Sequence, residues 1–464
     1  MSRSFDSMLT EGPVSTHLIK MTVPMALALS ATMAFNLADT YFVGQLGDAQ
    51  LTALSFTFPP IMLLISLTIG IGAGTSSVIA RAIGERNERK VRHLTTDSLL
   101  LSTLLSLFFT ALGLFTLEPV FRMLGADDTT MPYIKEFMII WYLGFITVMV
   151  PMVGMAALRA TGDVKTPATI MVGVAIANMF LDPLLIFGLG PIPALGIEGA
   201  ALATLITRGV SLIWVFYLLS AKHHMLRHSL PSLGDVAANW RAILHVGLPA
   251  SATNMIIPLC ISVAVALLAT HGNDAVAAHG VASRVESMSL VIFYAMSAII
   301  GPFVGQNFGA GRFDRIRESL IGSFLFCLGF TVLLALALGF GADWTARRFT
   351  EDEAIIHWVV VYLTLVPLSY GCHGIIMVAN AAFNALGRPF PATVISTMRM
   401  VVVYTPAILI GSKFFGVTGI FVATTIANVS VSIVAWLWVV YFLRRRQEDN
   451  PEPTAPTDTV PEAG

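Results

Sequence analysis

The sequence has little charge. Of 464 residues, 27 are Lys or Arg and 28 are Asp or Glu, 12% in all, against about 25% in an ordinary soluble domain. With 56% of residues hydrophobic, a soluble globule is excluded. The formal net charge of −1 leaves no basic field, so no nucleic-acid partner is expected. Cysteine is scarce: Cys260, Cys327 and Cys372 each sit in an apolar stretch and read as packing residues. Also absent are GxxxxGK[ST], HExxH, GxSxG and any paired Cys/His spacing for a metal, which argues against an enzyme and leaves no cofactor expected. "GIGAGTSS" at 70–77 resembles a phosphate cradle in letters only; inside an apolar run its small residues serve close helix packing.

What is present is apolar length. Polar, Pro/Gly or charged interruptions leave twelve spans, at 18–45, 50–80, 94–118, 132–158, 167–190, 196–221, 242–270, 275–307, 317–341, 354–386, 392–412 and 416–443. About 20 apolar residues cross the hydrocarbon core as a helix. These runs lack period-two alternation, so the expectation is an all-α integral membrane protein and not a barrel. No cleaved signal peptide is indicated before Thr16.

Sorting the connections alternately to two sides puts 19 cationic residues on one side, including Arg81, Arg86, Arg89, Lys90 and Arg92. Five fall on the other (Arg122, Lys135, Arg347, Arg348, Lys413), and Arg208, Arg284 and Arg399 lie within spans. The positive-inside rule then makes both termini cytoplasmic. Residues 447–464 are acidic and Pro/Thr-rich, and 444–464 reads as a disordered cytoplasmic tail.

An internal repeat sets the architecture. Pro24 matches Pro249, Gly84 matches Gly309, Arg92 matches Arg317 and Gly162 matches Gly387, each 225 apart; Asp48 matches Asp274 at 226 and Thr204 matches Thr424 at 220. Six spans per copy make the repeats parallel, with room for a shared cavity between two lobes. The expected organisation is a cytoplasmic segment at 1–17, an N-terminal lobe at 18–221, a connection at 222–241, a C-terminal lobe at 242–443 and the tail.

Ionisable residues inside spans carry the functional signal, because a charge in hydrocarbon costs several kcal/mol and persists where it meets a partner or a wet cavity. Asn36 and Asp39 share a face of the first span, and Asn178 and Asp182 share a face of the fifth. Counting about 1.5 Å per residue places Asp39, Asp182 and Thr204 in one layer, roughly 9–12 Å from the side with few cations. Two carboxylates, two carboxamides and a hydroxyl suit a small cation, so Na+ at Asp39, Asn178 and Asp182, or H+, is the expected guest. Pro183 follows Asp182 directly and Pro24 lies earlier in the first span, so both can bend or free a carbonyl. Two alternatives stay open: the carboxylates cap a broken helix, or they pair with Arg208, which lies within reach.

In the second half, spans 7 and 10 have no acid, which makes that half a poor cation site. Arg284 and Glu286 are two apart and face apart, while His279, Asn254, Asn380 and Asn384 line a cavity or pack. Met33, Met171, Met179 and Met288 suit a site for varied apolar ligands.

Val23–Ser55, "RAIGERNERKVR", "ALRATGDVKTPAT", "NMFLDPLLIFGLG" and "GIEGAALAT" resemble the multidrug and toxic compound extrusion (MATE) family. The resemblance implies twelve helices in two lobes around a cavity of alternating access, exporting organic cations or other xenobiotics in exchange for Na+ or H+. It also implies that Asp39, Asn178, Asp182 and Thr204 match the branch with its cation site in the N-terminal lobe. The functional expectation is a secondary active multidrug antiporter of the bacterial inner membrane, acting as a monomer on small drugs or dyes in the lipid bilayer. The rival is a flippase for an amphipathic lipid or lipid-linked saccharide; a membrane enzyme or a channel lacks its catalytic constellation or its filter.

Overall fold

A computed structural model describes residues 9–449 apart from 189, 191, 192 and 228–231, and among them every regular element is a helix. The first half holds α1 (Val14–Gly44), α2 (Asp48–Gly84), α3 (Glu88–Met123), α4 (Met131–Leu143), α5 (Phe145–Ala160), α6 (Lys165–Phe187) and α7 (Ile197–Tyr217). The second holds α8 (Leu233–Ala269), α9 (Asn273–Ser289), α10 (Val291–Gly309), α11 (Phe313–Ala346), α12 (Glu353–Leu365), α13 (Tyr370–Ala385), α14 (Pro389–Thr397) and α15 (Thr405–Asp449).

These fifteen helices make twelve crossings. α4 and α5 form one crossing bent by 44° at Gly144. α9 and α10 continue across Leu290, and α12 and α13 across the tight turn Val366–Ser369. Pro389–Arg445 is 57 residues long, more than twice what one crossing needs, and Gly416 at φ 60° divides it. α8 starts at Leu233, inside the stretch read from sequence as a connection, and α15 runs on to Asp449. The remainder of the tail, 450–464, lies outside the described residues, as do 1–8 of the N-terminal segment.

The repeat is kept at the level of the backbone. α2 ends at Gly84 and α10 at Gly309, α5 at Ala160 and α13 at Ala385, each pair 225 apart. Positive φ recurs at the same offset, at Gly47 and Gly272, Gly162 and Gly387, and Arg86 and Gly311. At the last pair one copy meets the left-handed conformation with glycine, the other with an arginine for which it costs about 1–2 kcal/mol.

Each half packs its own apolar core, and a smaller cluster joins them, with Leu9, Met21 and Met25 against Ile299 and Phe303. Large apolar side chains such as Leu107, Phe108, Ile213, Leu333 and Leu437 stay exposed, the outer surface that a helix bundle offers to lipid.

The halves meet where the cation-rich connections gather. α2 lies against α8 and α10 with glycines at the contacts: a Cβ on Gly74 would meet the Ile243 carbonyl, one on Gly84 the Gln306 carbonyl, and one on Gly309 the Arg81 carbonyl. Ser77 Oγ donates to the Asn384 carbonyl at 2.6 Å, and Gln306 Nε2 to the Ala160 carbonyl at 2.7 Å. At mid-depth Ser251 Oγ donates to the Leu67 carbonyl at 3.2 Å.

The segment leading into each half crosses to the other. Arg315 of α11 donates to the carbonyls of Gly12 (2.7 Å), Leu9 (3.0 Å) and Glu11 (3.2 Å), ahead of α1. Arg227, ahead of α8, reaches Asp97 of α3 at 3.1 Å. The side-chain hydrogen bonds between the halves thus lie at the cation-rich end or at mid-depth, and the opposite ends are joined by none among the described residues.

Candidate functional site

α6 packs against both α1 and α7, which brings three of the expected polar positions into one bundle. Asn178 and Asp182, four apart on α6, are both fully buried. Pro183 is internal to α6, so its missing N–H releases one backbone carbonyl a turn earlier. Asp39 on α1 is half-buried and close enough to Asp182 for the two carboxyls to interact electrostatically.

None of these groups is satisfied by the protein. Oδ1 of Asp39, both carboxyl oxygens of Asp182 and both amide atoms of Asn178 are buried without a hydrogen-bond partner among the described residues. An ionised carboxylate held this way would carry its full desolvation cost. Protonation or a bound cation would remove that cost. Among the described residues no cluster of three or more His, Cys, Asp or Glu could hold a metal. The donor set, two carboxyls with an amide oxygen, is hard and sparse, fitting H+ or a monovalent ion better than a transition metal.

The other expected residues divide. Thr204 is half-buried on α7, and its carbonyl accepts from Thr207 Oγ1 at 3.1 Å. Thr207 is the more buried hydroxyl, a neighbour that sequence reasoning passed over although it lies one turn along the same face. Asn36 is exposed. Arg208 makes no ion pair within 4 Å of either carboxylate, and its Nε is buried without a partner. Met33 and Met171 are half-buried, with Met171 against the cluster that joins the halves; Met179 and Met288 are exposed. Asn380 lies apart in the second half, its Nδ2 donating to Ser396 Oγ at 2.8 Å.

In that half Arg284 is exposed and does not pair with Glu286. Glu286 instead accepts from Tyr362 Oη at 2.5 Å. That contact spans 76 residues and leaves no sequence period.

The MatE family description matches residues 24–184 and again 249–409, two stretches of equal length offset by the 225 residues of the repeat. The FAD transporter of Shewanella oneidensis is 39% identical over 438 residues, covering 94% of this chain and 96% of that one. The probable multidrug resistance protein YoeA of Bacillus subtilis is 28% identical over 402 residues, covering 84% and 86%. The Vibrio cholerae MATE transporter VcmN in its bent form superposes with a TM-score of 0.89 at 30% identity, covering 96% of this chain and 99% of that one. With its two matched repeats and twelve crossings, the chain belongs to the MatE family and is a membrane transporter, not an enzyme.

Proposed function

We propose that this transporter is an antiporter that exports amphipathic organic molecules from the cytoplasm in exchange for H+ or Na+ bound at Asp39 and Asp182. The observation that carries the reading is the set of buried acceptors on α1 and α6 with no donor. Such a site exists at a cost unless a cation is exchanged there. With the cation-rich side taken as cytoplasmic, the halves are joined on the cytoplasmic side, so the ion site faces the outer half of the membrane. Ion binding would neutralise the carboxyls and favour one packing of α1 against α6, and loss of the ion the other. Asn178 and Thr204 would complete the ion's oxygen shell, and Met33, Met179 and Met288 would offer soft contacts to the substrate.

The experiment is dye export by purified protein in liposomes, under an imposed pH gradient and, separately, an imposed Na+ gradient, for wild type and Asp39→Asn. Export driven by one gradient and lost in the variant supports the reading and names the ion. Ion-independent export, equal in both proteins, overturns it.

A second reading concerns the substrate. The relative at 39% identity is named an FAD transporter, and Arg208, Arg284 and Arg399 lie within spans, where cations suit a phosphorylated flavin better than a cationic drug. Competition of FAD against ethidium in the same liposomes separates the two.

A further inference from the structure

We propose that Glu286 is a second proton-binding carboxyl, housed in the C-terminal half and set by Tyr362 and Arg399. The proposal rests on the ion-coupled reading only for what the proton is used for; the site stands on its own geometry.

Glu286 lies on α9, half-buried, with Tyr362 Oη of α12 donating to its Oε2 at 2.5 Å. Arg399 is 8% exposed. It is near enough to act electrostatically on Glu286, but no ion pair within 4 Å joins them. Its side-chain hydrogen bond goes to Met400 Sδ at 3.3 Å, a weak acceptor. A fixed positive charge that counterbalances a carboxylate without clamping it allows the carboxyl to gain and lose a proton, whereas a bidentate pair would lock it ionised.

Among the described residues Glu286 is the one carboxyl of this cluster. Tyr294 of α10 and Tyr370 of α13 are near enough to interact electrostatically with it, as Tyr404 and Cys260 are with Arg399. His373 also feels the guanidinium. The His279 ring stands edge-on to Tyr362 at 6.0 Å, and its Nδ1 is buried without a partner. Apart from Arg399, the other groups named here are phenols, a thiol and imidazoles. With Arg399 fixed, the cluster is neutral when Glu286 is ionised and carries one positive charge when it is protonated.

The backbone gives an independent sign. Arg399 and Tyr404 lie on a π-helical stretch, Met398–Tyr404, and Tyr362 and Tyr370 flank the 3-10 turn Val366–Ser369. Departures of this kind inside membrane helices gather at functional sites. At the 225-residue offset the π-helical stretch answers to residues 173–179 of α6, the helix that carries Asn178 and Asp182. Each half thus places an ionisable group on the equivalent crossing.

The test reads the proton directly and needs no transported substrate. Infrared difference spectra of the purified full-length protein, between about pH 5 and 9, are followed in the C=O stretch of protonated carboxyls. The expected result is a titrating band that survives in Asp39→Asn/Asp182→Asn and disappears in Glu286→Gln, which keeps an acceptor for Tyr362. Arg399→Gln should displace its midpoint by about one pH unit. If the amide variant does not fold, Glu286→Asp keeps a carboxyl and should move the band instead of removing it. A difference spectrum unchanged by substitution at Glu286 overturns the proposal and leaves a structural cross-link between α9 and α12. Because the Asp39 and Asp182 variants are scored separately, failure here and failure of the N-terminal ion site give different spectra.

Discussion

Asp97 and Arg227 face each other at 3.1 Å with side chains 0% and 4% exposed, joining α3 of the first half to the segment that leads into the second. Asn239 Nδ2 donates to the other Asp97 oxygen at 2.7 Å, and Trp240 Nε1 to its backbone carbonyl at 2.9 Å. Arg227 N also donates to Thr96 Oγ1 at 2.9 Å. This anchor explains why α8 starts so early: the polar stretch from Gly234 to Arg241 is tied to α3 at its far end.

Removing one member strands the other in a dry site, which costs about 3–5 kcal/mol. Arg227→Met and Asp97→Leu should each lower the unfolding temperature of the purified protein by several degrees. The double variant should recover much of that loss, because an apolar pair leaves no buried charge. Equal and additive losses would show that the ion pair does not couple the two sites.

Asp163 gives the protein an acid-sensitive contact on the same side. It sits in the connection between α5 and α6, with the Thr166 amide and hydroxyl at 3.0 and 2.6 Å, His223 Nε2 at 3.5 Å and Lys222 Nζ at 3.8 Å. Burial pushes its carboxyl up, but His223, Thr166 and Lys222 together outweigh burial and hold it well below the usual carboxylate range. A carboxyl depressed in the folded state contributes stability that is present above its unfolded pKa, about 3.9, and is lost as pH falls through the folded value. Thermal unfolding scans below about pH 4 should therefore show a loss in wild type that is smaller in Asp163→Asn. Parallel pH curves for the two proteins would count against it.

The architecture was legible in the sequence because it is written twice. Pro24 with Pro249 and Gly162 with Gly387 fixed the offset at which helix ends and left-handed turns recur. Asp39 and Asp182 stood out because an acid in an apolar run is costly and therefore rare. Asp97 did not stand out, although it lies within an expected span, because its partner is 130 residues away and set by tertiary packing. Tyr362 was hidden for the same reason, since a phenol reads as core; Arg399 was visible as a charge within a span, but nothing local ties it to Glu286. The early start of α8 was missed because a polar sequence reads as a loop unless the anchor holding it is known.

The glycines between α2 and its neighbours set the stability of the closed end. A methyl at Gly84 would meet the Gln306 carbonyl, and a methyl at Gly74 the Ile243 carbonyl, backbone atoms that cannot rotate away. Gly84→Ala should weaken closure and admit a membrane-impermeant maleimide to Ser77→Cys in a background without the native cysteines. In the parent background the same cysteine should react slowly, since Ser77 is buried at the seam against the Asn384 carbonyl. Equal labelling in both backgrounds would place closure elsewhere.

Arg315 tests whether the leading segment strengthens that closure. Arg315 is 7% exposed, and its guanidinium also donates through Nε to Asn307 Oδ1 at 3.0 Å while reaching three carbonyls of residues 9–12. Hydrogen bonds from a charged donor contribute about 1.5–3 kcal/mol each. Lysine keeps the charge without the fork. Arg315→Lys should thus behave more like Arg315→Ala than like wild type, in both unfolding temperature and protection of the segment from protease. If lysine restores both measures, charge alone holds the segment.

Asp182 separates stability from function. Its two oxygens are buried without partners, so the site costs folding energy that a purely structural design would avoid. Asp182→Asn removes the ionisable group while keeping the volume. The unfolding temperature should stay level or rise, while gradient-driven export falls by at least about tenfold, the loss expected when a site kept at the expense of stability gives up its function. A structural acid would give the opposite pattern, a lower unfolding temperature with export reduced only in proportion to the folded protein. Measuring both quantities on one preparation decides between a coupling carboxyl and a helix-breaking cap.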